Sequence, residues 1–145
     1  MLNPSRYRIL AIGKVRKSWI QAGISLYLKR LPGLTITELR DGTLKKESES
    51  IQSSLKDTEL LILLNEKGRL LSSVDFAQLL KEFENQRLAF VIGGANGITS
   101  ELTDRAHMSL SLSSLTFPHD IARLLFLEQL YRAQTILQRT PYHRA

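Results

Sequence analysis

The stretch FVIGGANGITSELTDRAHMSLSLSSLTFPH, residues 90–119, decides the fold expected for this chain. An apolar run at 88–92 breaks into Gly-Gly-Ala-Asn-Gly, and an alternating run at 108–112 breaks into Ser-Ser-Leu-Thr before Pro118. These patterns predict two strands joined by a helix over 100–106. Ligands of open α/β sheets bind at the carboxyl ends of the strands, so we expect the two loops to form a ligand site.

The loop at 93–97 has two interpretations. Glycine accepts positive φ and lets a ligand approach backbone N–H groups, but the same residues also make a tight turn between strand and helix. The second polar loop, again at a strand end, favours a ligand site. Gly93, Gly94 and Gly97 do not have the G-x-G-x-x-G spacing of a dinucleotide fingerprint.

Strand and helix patterns alternate along the whole chain. Strands are predicted at 7–12, 34–39, 60–64, 88–92 and 108–112, and helices at 18–31, 43–55, 100–106 and 118–138, with a further helix after the capping sequence at 72–75. This order predicts one α/β domain, residues 1–145, with a mainly parallel sheet. Residues 65–68 are expected to form a polar turn that ends the third strand. Trp19 and Tyr27 are expected in the core, and Leu44, Ile51 and Leu55 on an inward helix face.

Composition excludes several classes of protein. The chain has 145 residues, 43% of them hydrophobic, which is enough for one core. It has no cysteine, which excludes disulfides and thiolate metal sites, and its three histidines lack metal-ligand spacing, so we expect no metal. No apolar run approaches the ~20 residues of a membrane helix, and no signal peptide is recognisable, so a soluble cytoplasmic protein is expected.

Positive charge is concentrated at the two ends of the chain. Residues 1–37 hold seven Lys/Arg and no Asp/Glu, and residues 129–145 hold three Lys/Arg and no Asp/Glu. This asymmetry is typical of a phosphate-binding face, since each neutralised phosphate releases counterions. Lysines and arginines that merely solvate helix surfaces would give the same count, so the charge alone leaves both interpretations open.

The last helix pattern, 118–138, is apolar on almost every side. A helix that is apolar all round is buried all round, so this helix predicts a homodimer with the helix in the interface. Arg123, Glu128 and Arg132 are the exceptions. Glu128 and Arg132 have the i,i+4 order of an intrahelical ion pair, and an interface or site network is the alternative.

The chain ends in a tail that carries chemistry. Terminal residues usually fray, but Tyr142, His143 and Arg144 supply an aromatic ring, an imidazole and a guanidinium in three residues. These groups can stack on a base, move a proton and hold a phosphate. We expect them to contribute little to the core.

These motifs together resemble a known family. FVIGGANGI, LSLSSLTFPH, RLLFLEQLYRAQ and PYHRA, with YRILAIGK and YLKRL before them, resemble the RlmH-type SPOUT methyltransferases, which methylate N3 of a pseudouridine in large-subunit ribosomal RNA. The resemblance implies an α/β fold with a C-terminal trefoil knot and helices on both faces. It also implies a homodimer, S-adenosylmethionine as cofactor, and large-subunit ribosomal RNA, within the assembled ribosome, as substrate. Nothing in the periodicity predicts a knot.

The resemblance also implies cofactor-binding residues. They lie at the three strand ends: Leu64, Gly93, and the loop Leu112, Ser113, Ser114, Leu115, Thr116 and Phe117. Many relatives have an acidic residue directly after the position of Leu64, whereas this chain has Asn65. That difference puts a carboxylate role at this position in doubt, but not the cofactor site.

The expected reaction is in-line attack of the base N3 on the sulfonium methyl, which leaves positioning and proton removal to the protein. We expect His143 to be the base, Tyr142 to position the pseudouridine, and Arg144 to steady a phosphate or the anionic ring. His119 is either catalytic or a structural partner of its loop. Two rival functions remain: an RNA-binding module without activity, and a Rossmann-type enzyme that uses another nucleotide.

Overall fold

One parallel sheet of five strands forms the centre of the computed structural model, which describes residues 2–144. The strands lie in the order β2-β1-β4-β3-β5, and every pairing in the sheet is parallel. Their bounds are β1 Tyr7–Ile12, β2 Thr35–Leu39, β3 Glu59–Leu70, β4 Arg87–Ile92 and β5 Met108–Ser111. The α/β fold with a parallel sheet is therefore confirmed.

Helices cover both faces of the sheet, as expected. They are α1 Ser18–Arg30, α2 Leu44–Ser54, α3 Ser73–Glu82, α4 Ser100–Arg105 and α5 His119–Leu137, after a short 3₁₀ turn at Pro4–Arg6. Helices α1, α3 and α5 share one apolar cluster with the sheet, and α2 and α4 share the other. Thr43, Ser72 and Thr99 cap their helices by accepting a backbone N–H three residues on.

Helix α5 lies between α1 and α3 and is the centre of the larger cluster. The Phe126 ring lies 4.8 Å from the Phe90 ring and 5.9 Å from the Phe76 ring. The expectation for Trp19 was wrong, because its side chain is 60% exposed. The face of α1 that meets the sheet is built from Ile20 and Ile24, and a neighbouring position is rotated by about 100° away from it.

The second helix and third strand also correct the sequence prediction. Leu44 lies at the surface, although Ile51 is buried. Strand β3 does not end at Leu64 but continues to Leu70. Leu64 and Arg69 both pair with Leu110 of β5, so the polar residues 65–68 bulge out of an unfinished strand.

Gly68 lies at the end of the bulge, where β3 comes back into contact with β5. A Cβ atom at Gly68 would lie 2.7 Å from backbone carbons of Ser109 and Leu110, a separation that real side chains do not adopt. Only glycine therefore allows β3 to resume its pairing after the bulge.

The C-terminal tail is packed, which contradicts the expectation that it adds little to the core. Arg139 has φ 58°, its N–H donates to Ile136 O, and the N–H of Thr140 donates to Thr135 O, which together form a Schellman motif. This turn sends the chain back along α5, where the rings of Tyr142 and Tyr131 meet at 4.8 Å. Ala145, the last residue of the PYHRA motif, lies outside the described residues, as does Met1.

Candidate functional site

A cavity of about 500 Å³ lies between the bulge of β3 and the carboxyl ends of β4 and β5. Its volume is within the range of small-molecule sites. The cavity brings together every residue expected to hold the cofactor except Ser114, which is exposed. The expected residues that line it are Leu64, Gly93, Leu112, Ser113, Leu115, Thr116 and Phe117.

The glycine loop, residues 93–97, forms a tight turn and also lines the cavity. The N–H of Gly97 donates to Gly94 O at 3.1 Å, and Gly97 has φ 83°, so the loop is a tight turn. The same loop forms one wall of the cavity. A Cβ atom at Gly93 would lie 3.0 Å from Gly97 O and from Cγ1 of Ile98, so a side chain there would push the loop open.

The bulge after Leu64 supplies a carboxylate that the sequence analysis missed. Asn65 and Glu66 both line the cavity, and Thr116 donates its hydroxyl hydrogen to Glu66 Oε2 at 2.8 Å. The bulge therefore places an acidic side chain at the cavity one residue later than the position, now Asn65, at which the family resemblance implied one. The only signal in the sequence was that Glu66 follows Asn65.

His119 lies at the start of α5 and is half-buried. It lines the 500 Å³ cavity and two neighbouring cavities, and a Cβ atom at Gly13 would lie 3.8 Å from its Nε2. One turn later, buried Arg123 donates to Glu38 Oε2 at 2.6 Å and to Gly13 O at 3.0 Å. Arg123 thus fastens the start of α5 to the ends of β1 and β2.

Tyr142 is held in the tail by a polar cluster on α5 and α1. Its hydroxyl donates to Glu128 Oε2 at 2.8 Å and lies 3.3 Å from the Tyr27 hydroxyl. Burial, with the hydrogen bonds to Tyr27 and Glu128, raises the pKa of Tyr142 above its usual value. The phenol therefore stays protonated at neutral pH and can donate a hydrogen bond but not remove a proton.

The pair of Glu128 and Arg132 is intrahelical, and it also supports the tail. Arg132 donates through Nε and Nη2 to the two Glu128 oxygens, at 3.2 and 2.8 Å. The hydrogen bond to Glu128 raises the pKa of Arg132 further above its usual value. The same guanidinium lies 4.8 Å from the Tyr142 ring centre, so one ion pair orients the whole tail.

His143 has its protonation pattern fixed by Arg132. Nη1 of Arg132 lies 3.1 Å from Nδ1 of His143. A guanidinium can only donate, so Nδ1 must accept, and the neutral ring then carries its proton on Nε2. In this arrangement the free nitrogen of His143 is a hydrogen-bond donor. Arg144 is exposed.

The expected catalytic residues fall into two groups at opposite parts of α5. His119 lies at the 500 Å³ cavity, whereas the tail contacts Glu128 and Arg132. Nine and thirteen positions at 1.5 Å per residue separate His119 from Glu128 and Arg132 by roughly 14 and 20 Å along the helix. Tyr142, His143 and Arg144 are not among the residues that line this cavity in their own chain.

A basic cavity of about 610 Å³ adjoins the site on the side of His119. Exposed Lys14, Arg16, Lys17 and Arg40 line it, together with the acidic Glu38, Asp41 and Asp120. Not every basic residue of the N-terminal segment is available there. Arg8 forms a salt bridge of 2.6 Å with Glu59, and both side chains are mostly buried.

Neither a metal site nor a membrane-spanning helix is found within the part of the chain that the structure describes. Within 2–144, no three His, Asp or Glu side chains are grouped in a way that could hold a metal ion. Among the helices given above, none is both long and apolar enough to cross a membrane.

Comparisons with known proteins show the family of the chain. Residues 5–143 match the family model described as "Predicted SPOUT methyltransferase". The chain is 62% identical over 144 residues to the ribosomal RNA large subunit methyltransferase H of Synechococcus sp. (strain CC9902), covering 99% of this chain and 100% of that one. It is 64% identical over 144 residues to the protein of the same name from Prochlorococcus marinus (strain MIT 9211), covering 99% of each.

Solved structures extend the likeness to the fold. A probable methylase family protein from Haemophilus influenzae Rd KW20 has a TM-score of 0.62 and 14% identity, over 98% of this chain and 72% of that one. The SpoU methyltransferase AviRb from Streptomyces viridochromogenes has a TM-score of 0.52 and 10% identity, over 93% and 62%. The architecture is thus that of the SpoU-type methylases.

Proposed function

We infer that this chain, which belongs to the SPOUT methyltransferase family, methylates N3 of a pseudouridine in the ribosomal RNA of the large subunit. The observation that carries the inference is the single cavity at three strand ends, which gathers the residues expected to bind the methyl donor. We propose that residues 1–145 act as one domain, in the cytoplasm, on the assembled ribosome.

The donor we propose is S-adenosylmethionine, which would supply an electrophilic methyl group on a sulfonium. The lining of the cavity suits S-adenosylmethionine, because Leu64, Ile98 and Phe117 offer apolar walls for its adenine ring. Glu66 offers a carboxylate for ribose hydroxyls or for the ammonium group. The glycine loop contributes backbone at close range, since a Cβ at Gly93 has no room.

The complete site, we propose, needs two chains. The tail contacts α5 at Glu128 and Arg132, roughly 14 and 20 Å along the helix from His119 at the cavity of its own chain, so a second copy would bring a tail to that cavity. Two side chains of α1 leave apolar surface uncovered, Trp19 at 60% and Leu26 at 45% exposure. Helix α5 packs tightly beside α1, because a Cβ at Gly23 would lie 2.9 Å from Leu124. This surface supports an isologous dimer through α1 and α5.

In the reaction, the protein must orient the pseudouridine and favour loss of its N3 proton. We assign the first task to Tyr142, whose ring is fixed by Tyr131, Glu128 and Arg132. For the second task, Nε2–H of His143 and the guanidinium of Arg144 would donate to the ring carbonyls beside N3. These donors stabilise the anionic ring, so its proton can leave to solvent. His143 would thus stabilise the anion instead of acting as the expected base, and His119 would support the methyl-donor side.

Methylation of isolated ribosomes tests this function. Ribosomes from cells that lack the protein, incubated with purified protein and S-adenosylmethionine, should gain one methyl group on a large-subunit pseudouridine, located by mass spectrometry. Ribosomes from cells that contain the protein are the control and should gain none at that position. The function is refuted if cells without the protein already carry the modification at every large-subunit site where the wild type does.

A further inference from the structure

A third, smaller cavity adjoins the glycine loop and shares Gly94, Ala95 and His119 with the 500 Å³ cavity. Its volume is about 360 Å³, and its walls come from Gly13, the segment 41–42, Glu47, the loop residues 94–96 and His119. Gly13, Asp41 and His119 also line the basic cavity, so the two spaces are neighbours. None of the catalytic steps assigned above uses Glu47.

Glu47 is the unusual residue of this cavity. It is only 2% exposed, on the first turn of α2. Its Oε2 accepts the N–H of Gly42 at 3.0 Å, but Oε1 has no hydrogen-bond partner. A buried carboxylate oxygen without a partner is costly, so its retention calls for a donor that arrives from outside.

The free oxygen lies beside the glycine loop. An ideal Cβ at Gly94 would lie 3.7 Å from Oε1 and 2.9 Å from Cγ2 of Ile12, so the loop passes close to Glu47. Asn96 donates its amide hydrogen to Gly42 O at 2.8 Å, which ties the glycine loop to the segment that Glu47 holds. Glu47 is therefore held between the glycine loop and the segment 41–42, where it lines the cavity.

The neighbouring charges indicate what kind of donor arrives. Exposed Lys14, Arg16, Lys17 and Arg40 suit phosphates, and a carboxylate oxygen suits the N–H groups of a base. A metal ion is a poor candidate, since Glu47 has no second and third ligand grouped with it among residues 2–144. An unpaired nucleotide satisfies both halves of the site, with its base at Glu47 and its phosphate on the basic cavity.

We propose that this pair of cavities binds an amino-bearing nucleotide of the RNA substrate that flanks the modified pseudouridine, with its exocyclic amino N–H donating to Glu47 Oε1. The proposal rests on the ribosomal RNA substrate proposed above and specifies how that substrate is recognised. Uracil, which has no amino group, would be the poorest fit.

Glu47→Gln is the decisive variant, because it keeps the shape and can still accept from Gly42 while replacing one carboxylate oxygen with a donor. We expect KM for ribosomes from cells lacking the protein to rise about 5- to 100-fold, in line with the loss of one good base contact. The S-adenosylmethionine Kd and the Tm should not change. Glu49→Gln, an exposed position on the same helix, is the matched control and should behave as wild type.

The outcomes separate this proposal from the enzyme function. A wild-type protein that transfers no methyl group would refute the function itself. An active wild type with an unchanged KM for Glu47→Gln would overturn only the nucleotide site. A weaker cofactor Kd in that variant would also overturn it, because Glu47 would then serve to build the cofactor loop.

A measurement on the wild type keeps the proposal testable if the variant does not fold. In NMR titrations, GMP, CMP and AMP should shift the amide signals of Gly42 and Gly94 at lower concentrations than UMP does. Equal shifts with all four nucleotides, or no shifts at these amides, would overturn the proposal.

Discussion

The two ends of helix α5 carry different halves of the proposed site, and they are built in different ways. At its start, the cavity is made of backbone and loops, with the glycine loop and the β3 bulge as walls. At its other end, the tail is made of side chains that hold one another through Glu128 and Arg132. A loop site of the first kind suits the binding of a cofactor, and a polar network of the second kind suits the orientation of a base. The comparison teaches that one chain contains both halves without joining them.

The largest effect should come from the tail. His143→Ala should lower kcat by about 10²–10³-fold, as removal of a donor to a developing anion does. His143→Gln should stay within about 10-fold of wild type, because its amide nitrogen can replace Nε2–H as a donor. Steady-state kinetics on ribosomes measures both variants.

Comparing the two variants distinguishes the two possible roles of His143, hydrogen-bond donor and general base. Glutamine cannot remove a proton, so equal losses in the two variants would restore His143 as the general base. Independently, ¹⁵N spectra of the imidazole should show the proton on Nε2 and none on Nδ1 at neutral pH.

The next largest effect should come from a change in the cavity at the start of α5. Gly93→Val should weaken S-adenosylmethionine binding by about 10-fold or more, because the new side chain has only 3.0 Å to Gly97 O and must displace the loop. Calorimetry gives the Kd, and circular dichroism checks that the protein is folded. Tail variants such as His143→Ala are the control and should bind the cofactor as wild type does. Unchanged affinity in Gly93→Val would mean that the cofactor lies elsewhere.

A third prediction concerns the stability of the fold at a salt bridge far from both ends of helix α5. Burial raises the pKa of Glu59, but hydrogen bonds from the Arg8 side chain and the Lys56 backbone outweigh it, so the pKa is lowered on folding. A lowered pKa stabilises the fold above the unfolded value of about 4.3, and this contribution disappears as the pH falls through the folded value. Denaturant unfolding at several pH values should therefore show a flatter acid dependence for Glu59→Gln than for wild type.

Arg8→Ala should act on the same pair. We expect it to lower the free energy of unfolding by about 1–3 kcal/mol at pH 7, since Glu59 would be left buried without its partner. Cofactor affinity should not change, because the pair lies at the amino ends of β1 and β3. An equal loss of binding would show that this edge is coupled to the site.

The smallest effect should be a gain. Arg139 has the left-handed conformation of the Schellman turn, with φ 58°. Glycine adopts this conformation without steric cost because it has no Cβ atom. Arg139→Gly should raise the free energy of unfolding by about 0.5–1 kcal/mol, as seen in denaturant melts, with the tail still docked. A loss of stability would show that the arginine side chain matters more than its backbone.

The sequence predicted the fold well where a pattern was long and regular. The apolar runs of β1, β3 and β4 and the helix at 118–138 gave the alternation of strand and helix directly. The prediction failed where a single residue decides whether a side chain faces the core or whether a strand continues. Trp19 lies just beside the buried stripe of Ile20 and Ile24, and the polar residues 65–68 form a bulge where the composition suggested a strand end.

That the residues expected to bind the cofactor share one cavity was predictable, because strand ends of a parallel sheet meet at one edge. The contacts of the tail were not, since they depend on the turn at Arg139, a conformation that sequence patterns assign to glycine. Glu47 was missed for a related reason. It lies in a polar helix start that looks solvated, and only the fold shows that its carboxylate is buried.

The central claim, that one chain supplies the cavity and another the tail, has a direct test in mixed dimers. Gly93→Val and His143→Ala chains, each impaired alone when S-adenosylmethionine is kept below its wild-type Kd, are co-expressed with different tags, and the methylation rate per site is measured on the mixture at that donor concentration. Random pairing of equal amounts makes half of the dimers mixed, and each mixed dimer would have one intact site, so about one quarter of wild-type activity should return. Activity that stays at the level of the two parents would show that each site is built from a single chain.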